Sequence, residues 1–80
     1  MYYVYLLRSQ INPEKTYIGY TTDITNRLET HNSGRSVFTI NFRPWKLVNY
    51  IAFDSKEKAL SFERYLKEGS GHAFAQKRLW

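Results

Sequence analysis

The sequence predicts a small α/β domain of the α+β kind. Three observations carry that reading: an apolar alternation of period two opens the chain, a second strand-like run follows one turn later, and two stretches with apolar residues at helical spacing come after them. Its 80 residues suit a single domain, 1–80, with one core. Seven Tyr, five Phe and two Trp allow that core to be built from few, large side chains.

In the first strand, Tyr3, Tyr5 and Leu7 fall on one face and Val4 and Leu6 on the other. Gln10 to Lys15, with Asn12-Pro13 inside it, reads as a loop, and Thr16 to Tyr20 as a second strand that forms a hairpin with the first. Tyr5 is expected opposite Tyr17, which puts both phenols on one face. Gly19 shares that face and, lacking a side chain, is expected to leave room for a ligand beside them.

Thr21-Thr22-Asp23 has helix-start chemistry, Ile24 and Leu28 begin an apolar stripe, and Asn32-Ser33-Gly34 is a stop signal, so a first helix lies between. Ser33 to Pro44, rich in Gly, Ser, Asn and Arg, reads as a long basic loop, a type of segment that carries function more often than core. With Arg35, Arg43 and Lys46 around it, this loop is the expected contact for a polyanionic partner. Trp45 to Phe53 forms a third strand. Asp54 and Glu57 have capping-box spacing and open a second helix through about Glu68, with Ala59, Phe62 and Leu66 as its buried stripe. Gly69-Ser70-Gly71 ends that helix, and His72 to Leu79 forms a short third one.

Twelve Lys+Arg against seven Asp+Glu give a formal charge of +5, which favours polyanionic partners through counterion release, although many small domains carry such an excess for solubility alone. Cysteine is absent, which excludes disulfide-linked partners and thiolate metal sites and makes a cytoplasmic location the default. Tyr2 to Leu7, the longest apolar stretch, falls far short of the roughly 18 residues a membrane helix needs, and it lacks the flanks of a signal peptide. Neither membrane nor export is expected.

Tyr5, Tyr17, Arg27, His31 and Glu63 are the residues with candidate chemistry. Arg27 and His31 stand four apart and share a helix face. Glu63 falls on or beside an apolar stripe, where a carboxylate is costly and asks for a partner. Each has an ordinary competitor: sheet packing for the tyrosines, a solvated helix face for Arg27 and His31, and a salt bridge to Arg27 or a lysine for Glu63.

Taken in order, Tyr3-Val4-Tyr5, Tyr17-Ile18-Gly19, Arg27, His31 and Glu63 resemble the GIY-YIG nuclease family over nearly the whole chain, most closely its small stand-alone members, which look like the nuclease part of the excision-repair endonuclease. The resemblance implies a three-stranded antiparallel sheet with the first strand central, flanked by helices. By the same resemblance Tyr5, Tyr17, Gly19, Arg27, His31 and Glu63 form the catalytic set, with Glu63 binding Mg²⁺ or Mn²⁺. The implied activity is divalent-metal-dependent hydrolysis of DNA phosphodiester bonds, in repair or processing. One carboxylate suffices for a mostly hydrated Mg²⁺, and Arg27 can meet phosphate oxygens as a fork. Tyr17 is then the base or water-positioning group, aided by His31 or a cation because an ordinary phenol titrates near 10, and Tyr5 orients water or phosphate. The five side chains are expected to converge on one concave surface.

Tyr3 stands where the family's first motif has glycine, Tyr20 follows Gly19 where some relatives place lysine, and Ala75 stands near the place of an asparagine that many catalytic relatives carry. The rival reading is a non-catalytic nucleic-acid-binding module on the same scaffold. A protein-interaction domain is a third, which leaves Arg27, His31 and Glu63 unexplained.

Overall fold

The computed structural model describes residues 1–80. Strands β1 (Tyr2–Ser9), β2 (Thr16–Thr21) and β3 (Trp45–Phe53) form one antiparallel sheet in the order β2-β1-β3, with helices α1 (Ile24–Asn32), α2 (Lys56–Leu66) and α3 (Gly69–Arg78) around it and a 3-10 turn at Ile40–Phe42.

The central place of β1 explains its composition. A strand paired on both edges and covered on both faces must be apolar throughout, and Val4, Tyr5, Leu6 and Leu7 are all buried. Val4 and Leu6 pack with Ala59 and Leu66 of α2 and Ala75 of α3, while Tyr5 and Leu7 pack with Trp45, Leu28 of α1 and Phe42. The sheet is therefore covered by α2 and α3 on one side and by α1 with the 33–44 segment on the other. Each fully buried Leu or Val contributes about 1.5–3 kcal/mol.

The hairpin pairing differs from expectation by two residues. Tyr5 faces Gly19, and Tyr17 faces Leu7. An offset of two preserves the face, so both phenols still lie on one side of the sheet. It changes the role of Gly19, because the outer end of the Tyr5 ring lies over this residue and occupies the space where a Cβ would stand. The room that glycine leaves is filled by the protein's own tyrosine rather than reserved for a ligand.

Asp23 caps α1 by accepting from the Asn26 amide, and the helix ends at Ser33, followed by Gly34 at φ 85°. The second helix is capped by Ser55, whose side chain accepts from the Lys58 amide; Asp54 instead pairs with Lys58 at 3.5 Å. The cap thus sits one residue later than the Asp54 spacing predicts, and serine is the commoner residue for it. The helix also stops at Leu66, and α3 begins at Gly69 rather than His72. Gly69 at φ 44° makes the turn, and Gly71 lies so close to the Tyr65 carbonyl that any side chain there would collide with it.

Candidate active site

The 33–44 segment is tied to the rest of the fold by hydrogen bonds. Asn32, at the end of α1, donates from Nδ2 to the Trp45 carbonyl (3.1 Å) and accepts from the Trp45 amide, which fastens α1 to the start of β3. The Trp45 indole N–H donates to the Thr39 carbonyl at 2.8 Å, and the Ser9 hydroxyl donates to the Phe42 carbonyl. These contacts bring Thr39, which is completely buried, against His31.

His31 is 2% exposed and held from both ring nitrogens: Nε2 lies 2.9 Å from the Tyr5 hydroxyl and Nδ1 lies 2.7 Å from the Thr39 hydroxyl. In either tautomer one nitrogen donates and the other accepts, so the neutral ring satisfies both partners. Burial holds the imidazole below its ordinary pKa, and the Arg27 charge adds to the effect. The Tyr5 phenol is pushed well above its ordinary range, first by burial and then by the Tyr17 and Glu63 charges, with Arg27 opposing. Tyr5 is thus a neutral phenol that can orient a group but cannot serve as a base near neutral pH.

Tyr17, on the edge strand β2, is half-buried; its ring centre lies 6.2 Å from that of Tyr5 and 4.9 Å from that of His31. The direct hydrogen bond of His31 is nevertheless to Tyr5. Arg27 is exposed, one turn before His31 on α1. Glu63 lies on α2, whose buried stripe packs on the opposite sheet face, yet α2 also runs against edge strand β2 and the Glu63 charge reaches the Tyr5 phenol. The Glu63 side chain is 22% exposed and paired with Lys67 at 3.4 Å. A lysine one turn away is therefore the partner that its position on the apolar stripe demands.

No group of three or more His, Asp or Glu side chains is placed to hold a metal ion. A single carboxylate such as Glu63 could hold a mostly hydrated Mg²⁺ or Mn²⁺ but not form an all-protein metal cage, and Lys67 would then have to release it.

Arg35, Arg43 and Lys46 are all exposed around the 33–44 segment. The Arg43 guanidinium lies against Gly34, and Arg35 donates from Nε to the Ser33 hydroxyl at 3.0 Å, so both arginines are gathered at the base of the loop. The two cavities of the molecule lie elsewhere. One, of about 400 Å³, is bounded by Tyr3, Asp23, Ile24, Leu47 and Tyr50, and the other, of about 520 Å³, by Phe53, Glu57, Phe62 and Tyr65. Neither is lined by Tyr5, Tyr17, Arg27, His31 or Glu63. No helix is long and apolar enough to cross a membrane.

The fold and the sequence together place the chain in a nuclease-type domain family. The model of the GIY-YIG catalytic domain matches residues 1–77, and the chain belongs to that family. GIY-YIG nucleases generally use divalent metal ions. Among its relatives, UPF0213 protein YsiG of Lactococcus lactis is 42% identical over 67 residues, covering 82% of this chain and 62% of YsiG. UPF0213 protein SpyM50708 of Streptococcus pyogenes is 44% identical over 68 residues, covering 82% of this chain and 71% of that protein. The chain thus spans somewhat less than two thirds of the first of these relatives and somewhat more of the second. Its fold matches the solution NMR structure of the UPF0213 protein BH0048 from Bacillus halodurans, at 37% identity and a TM-score of 0.55, covering 95% of this chain and 81% of that one.

Thr39 escaped the sequence reading. A threonine in a polar loop carries no periodic signal, and only the folded course of residues 33–44 brings it to His31. Ala75, near the place of the family's asparagine, is completely buried with Leu66 and Val4. A polar amide has no role in that setting without partners of its own.

The buried His31 makes stability depend on pH. Its folded pKa is lowered from 6.5, so the unfolded chain takes up the proton first as pH falls. The thermal midpoint is expected to hold at and above about pH 7 and to fall steadily toward about pH 5, the window below the ordinary imidazole pKa. Circular-dichroism melts across that range should show a shallower slope for His31→Gln; an unchanged slope would mean that His31 accepts a proton freely in the fold.

Proposed function

We propose that this chain is a divalent-metal-dependent endonuclease that hydrolyses DNA phosphodiester bonds, in repair or processing, acting as the single domain 1–80 in the cytoplasm. The observation that carries this reading is the buried Tyr5–His31 hydrogen bond, seated over Gly19 and subject to the charges of both Arg27 and Glu63. A purely structural tyrosine in a sheet needs neither an opposed pair of exposed and half-exposed charges nor a glycine beneath its hydroxyl.

The roles combine what the family resemblance implies with the exposure of each side chain. Arg27, exposed and permanently charged, holds the phosphate as a planar fork and neutralises charge growing on its oxygens. Tyr17, half-buried on the edge strand, positions the attacking water, whose proton passes to solvent as the new bond to phosphorus forms, while the bond to the leaving oxygen breaks and that oxygen takes a proton from solvent. Tyr5 remains protonated and, held by His31, orients the water or a phosphoryl oxygen. His31 acts through Tyr5 rather than on substrate, because it is buried behind it. Glu63 would hold Mg²⁺ or Mn²⁺, which when bound would supply charge neutralisation at the phosphate and the leaving group. Arg35, Arg43 and Lys46 hold the flanking DNA backbone.

Nicking of supercoiled plasmid in Mg²⁺ or Mn²⁺ but not in EDTA, absent from Glu63→Ala purified identically, tests the enzyme. The basic loop is tested separately by Arg35→Gln/Arg43→Gln/Lys46→Gln. Three lost phosphate contacts are expected to flatten the slope of log affinity against log salt by about two to three, and to weaken binding on every sequence alike. An unchanged slope removes the loop from the interface.

The non-catalytic reading keeps two observations in its favour: Lys67 already pairs with Glu63, and Ala75 is core where many catalytic relatives carry asparagine. Tight DNA binding without metal-stimulated cleavage of single-stranded, duplex, branched or supercoiled DNA would decide for it.

A further inference from the structure

The tip of the 33–44 segment presents two large apolar residues to solvent. Val37 is 80% exposed and Phe38 is 81% exposed, while the next residue, Thr39, is completely buried and bonded to His31. Anchorage is tight on the C-terminal side: Thr39 also accepts the Trp45 indole N–H on its carbonyl, its amide donates to the Ser36 carbonyl at 3.2 Å, and the Phe42 amide donates back to it at 3.2 Å. Arg35 and Arg43 flank the tip in sequence and are exposed. Nothing in the fold needs Phe38, and leaving such a side chain in water forgoes about 1.5–3 kcal/mol of burial. The tip is thus apolar, held firmly, flanked in sequence by cations, and one residue from the threonine bonded to His31.

We infer that Val37-Phe38 is a base-contacting tip, with Phe38 stacking on the face of a nucleobase beside the phosphate held at the site. Charge complementarity chooses the partner: Arg35 and Arg43 at the base of the loop meet phosphates, and the apolar ring exposed at its tip meets the one apolar surface that a nucleic acid offers, the base face. That face is open in a single strand, whereas a duplex step must first be unstacked at a cost of a few kcal/mol, so the contact favours strands with unpaired bases. The inference rests on DNA being the partner of the site proposed above.

Equilibrium binding in EDTA tests it, with fluorescein-labelled single-stranded DNA, the same strand with a central run of abasic sites, and the matching duplex. Phe38→Ala, which keeps the fold because the side chain is exposed, is expected to bind the single strand about 5- to 150-fold more weakly, the scale of one lost base–aromatic stack. The change should be small on the abasic strand, the salt slope should stay the same, and Phe38→Trp should restore affinity. Equal affinities of wild type and Phe38→Ala for the single strand, or equal losses on the intact and abasic strands, overturn the stacking contact. So does Phe38-dependent sedimentation with phosphatidylserine vesicles when DNA affinity is independent of Phe38, since the tip would then serve an anionic membrane. Wild type that nicks plasmid while Phe38→Ala binds all three DNAs as it does refutes this inference alone. Phe38-dependent DNA binding without nicking refutes only the enzyme, and no DNA binding by wild type refutes both.

Discussion

Glu63→Gln is expected to reduce metal-stimulated plasmid nicking by about 10²- to 10³-fold, the scale on which one group stabilising a transition state acts. The substitution keeps shape and hydrogen-bonding capacity and removes only the charge that would hold a divalent ion. Its effect on the fold should be slight. The Lys67 pair it breaks is a half-exposed i,i+4 contact at 3.4 Å, worth about 0–1 kcal/mol. DNA affinity in EDTA should persist, because Arg27 and the basic loop are untouched. Nicking time courses, melting curves and binding isotherms on one preparation separate these outcomes. Full activity in Glu63→Gln would place the metal on other groups, and collapse of the fold would give Glu63 a structural role through its Lys67 pair.

The sequence made the elements legible wherever local chemistry specifies them. Trp45–Phe53 is readable to its ends because Pro44 and Asp54 bracket an apolar run, and α1 is readable from Asp23 to Gly34 because both of its caps are side-chain and glycine chemistry within one turn. The family match over residues 1–77 bears out the resemblance first seen in the tyrosine motifs, and the three-stranded antiparallel sheet with β1 central agrees with what it implied.

What failed to show was whatever depends on distance through space. Alternation assigns Tyr5 and Tyr17 to a face but contains no information on an even-numbered slip, so the Tyr5–Gly19 pairing was invisible. The burial of His31 behind Tyr5 depends on a loop folding back through Thr39, a contact between residues with no shared pattern. The position of Glu63 on a helix of the opposite sheet face likewise comes only from the packing of Ala59 and Leu66. Sequence marked these residues as unusual and left their mutual arrangement to the fold.

Gly19→Ala tests that arrangement at its tightest point. An added Cβ would stand well inside contact distance of the Tyr5 hydroxyl and would also meet Cζ and Cε1, at 2.5 and 2.9 Å. Ring ends usually swing aside cheaply, but Tyr5 is only 3% exposed, packed with Leu7 and Trp45 and bonded to His31, so it has little room to yield. Overpacking of this kind costs about 1–3 kcal/mol, and each kcal/mol lowers the midpoint of so small a domain by about 4–8 °C. Any movement that relieves the clash breaks the Tyr5–His31 bond, so nicking should fall along with stability. Tyr5→Phe separates the two effects: it keeps the ring over Gly19 and removes only the hydroxyl, so it should lose activity by orienting nothing while melting closer to wild type than Gly19→Ala does. If Gly19→Ala melts and cleaves like wild type, the Tyr5 ring does not rest on this glycine in solution, and the site must be built around a different placement of Tyr5.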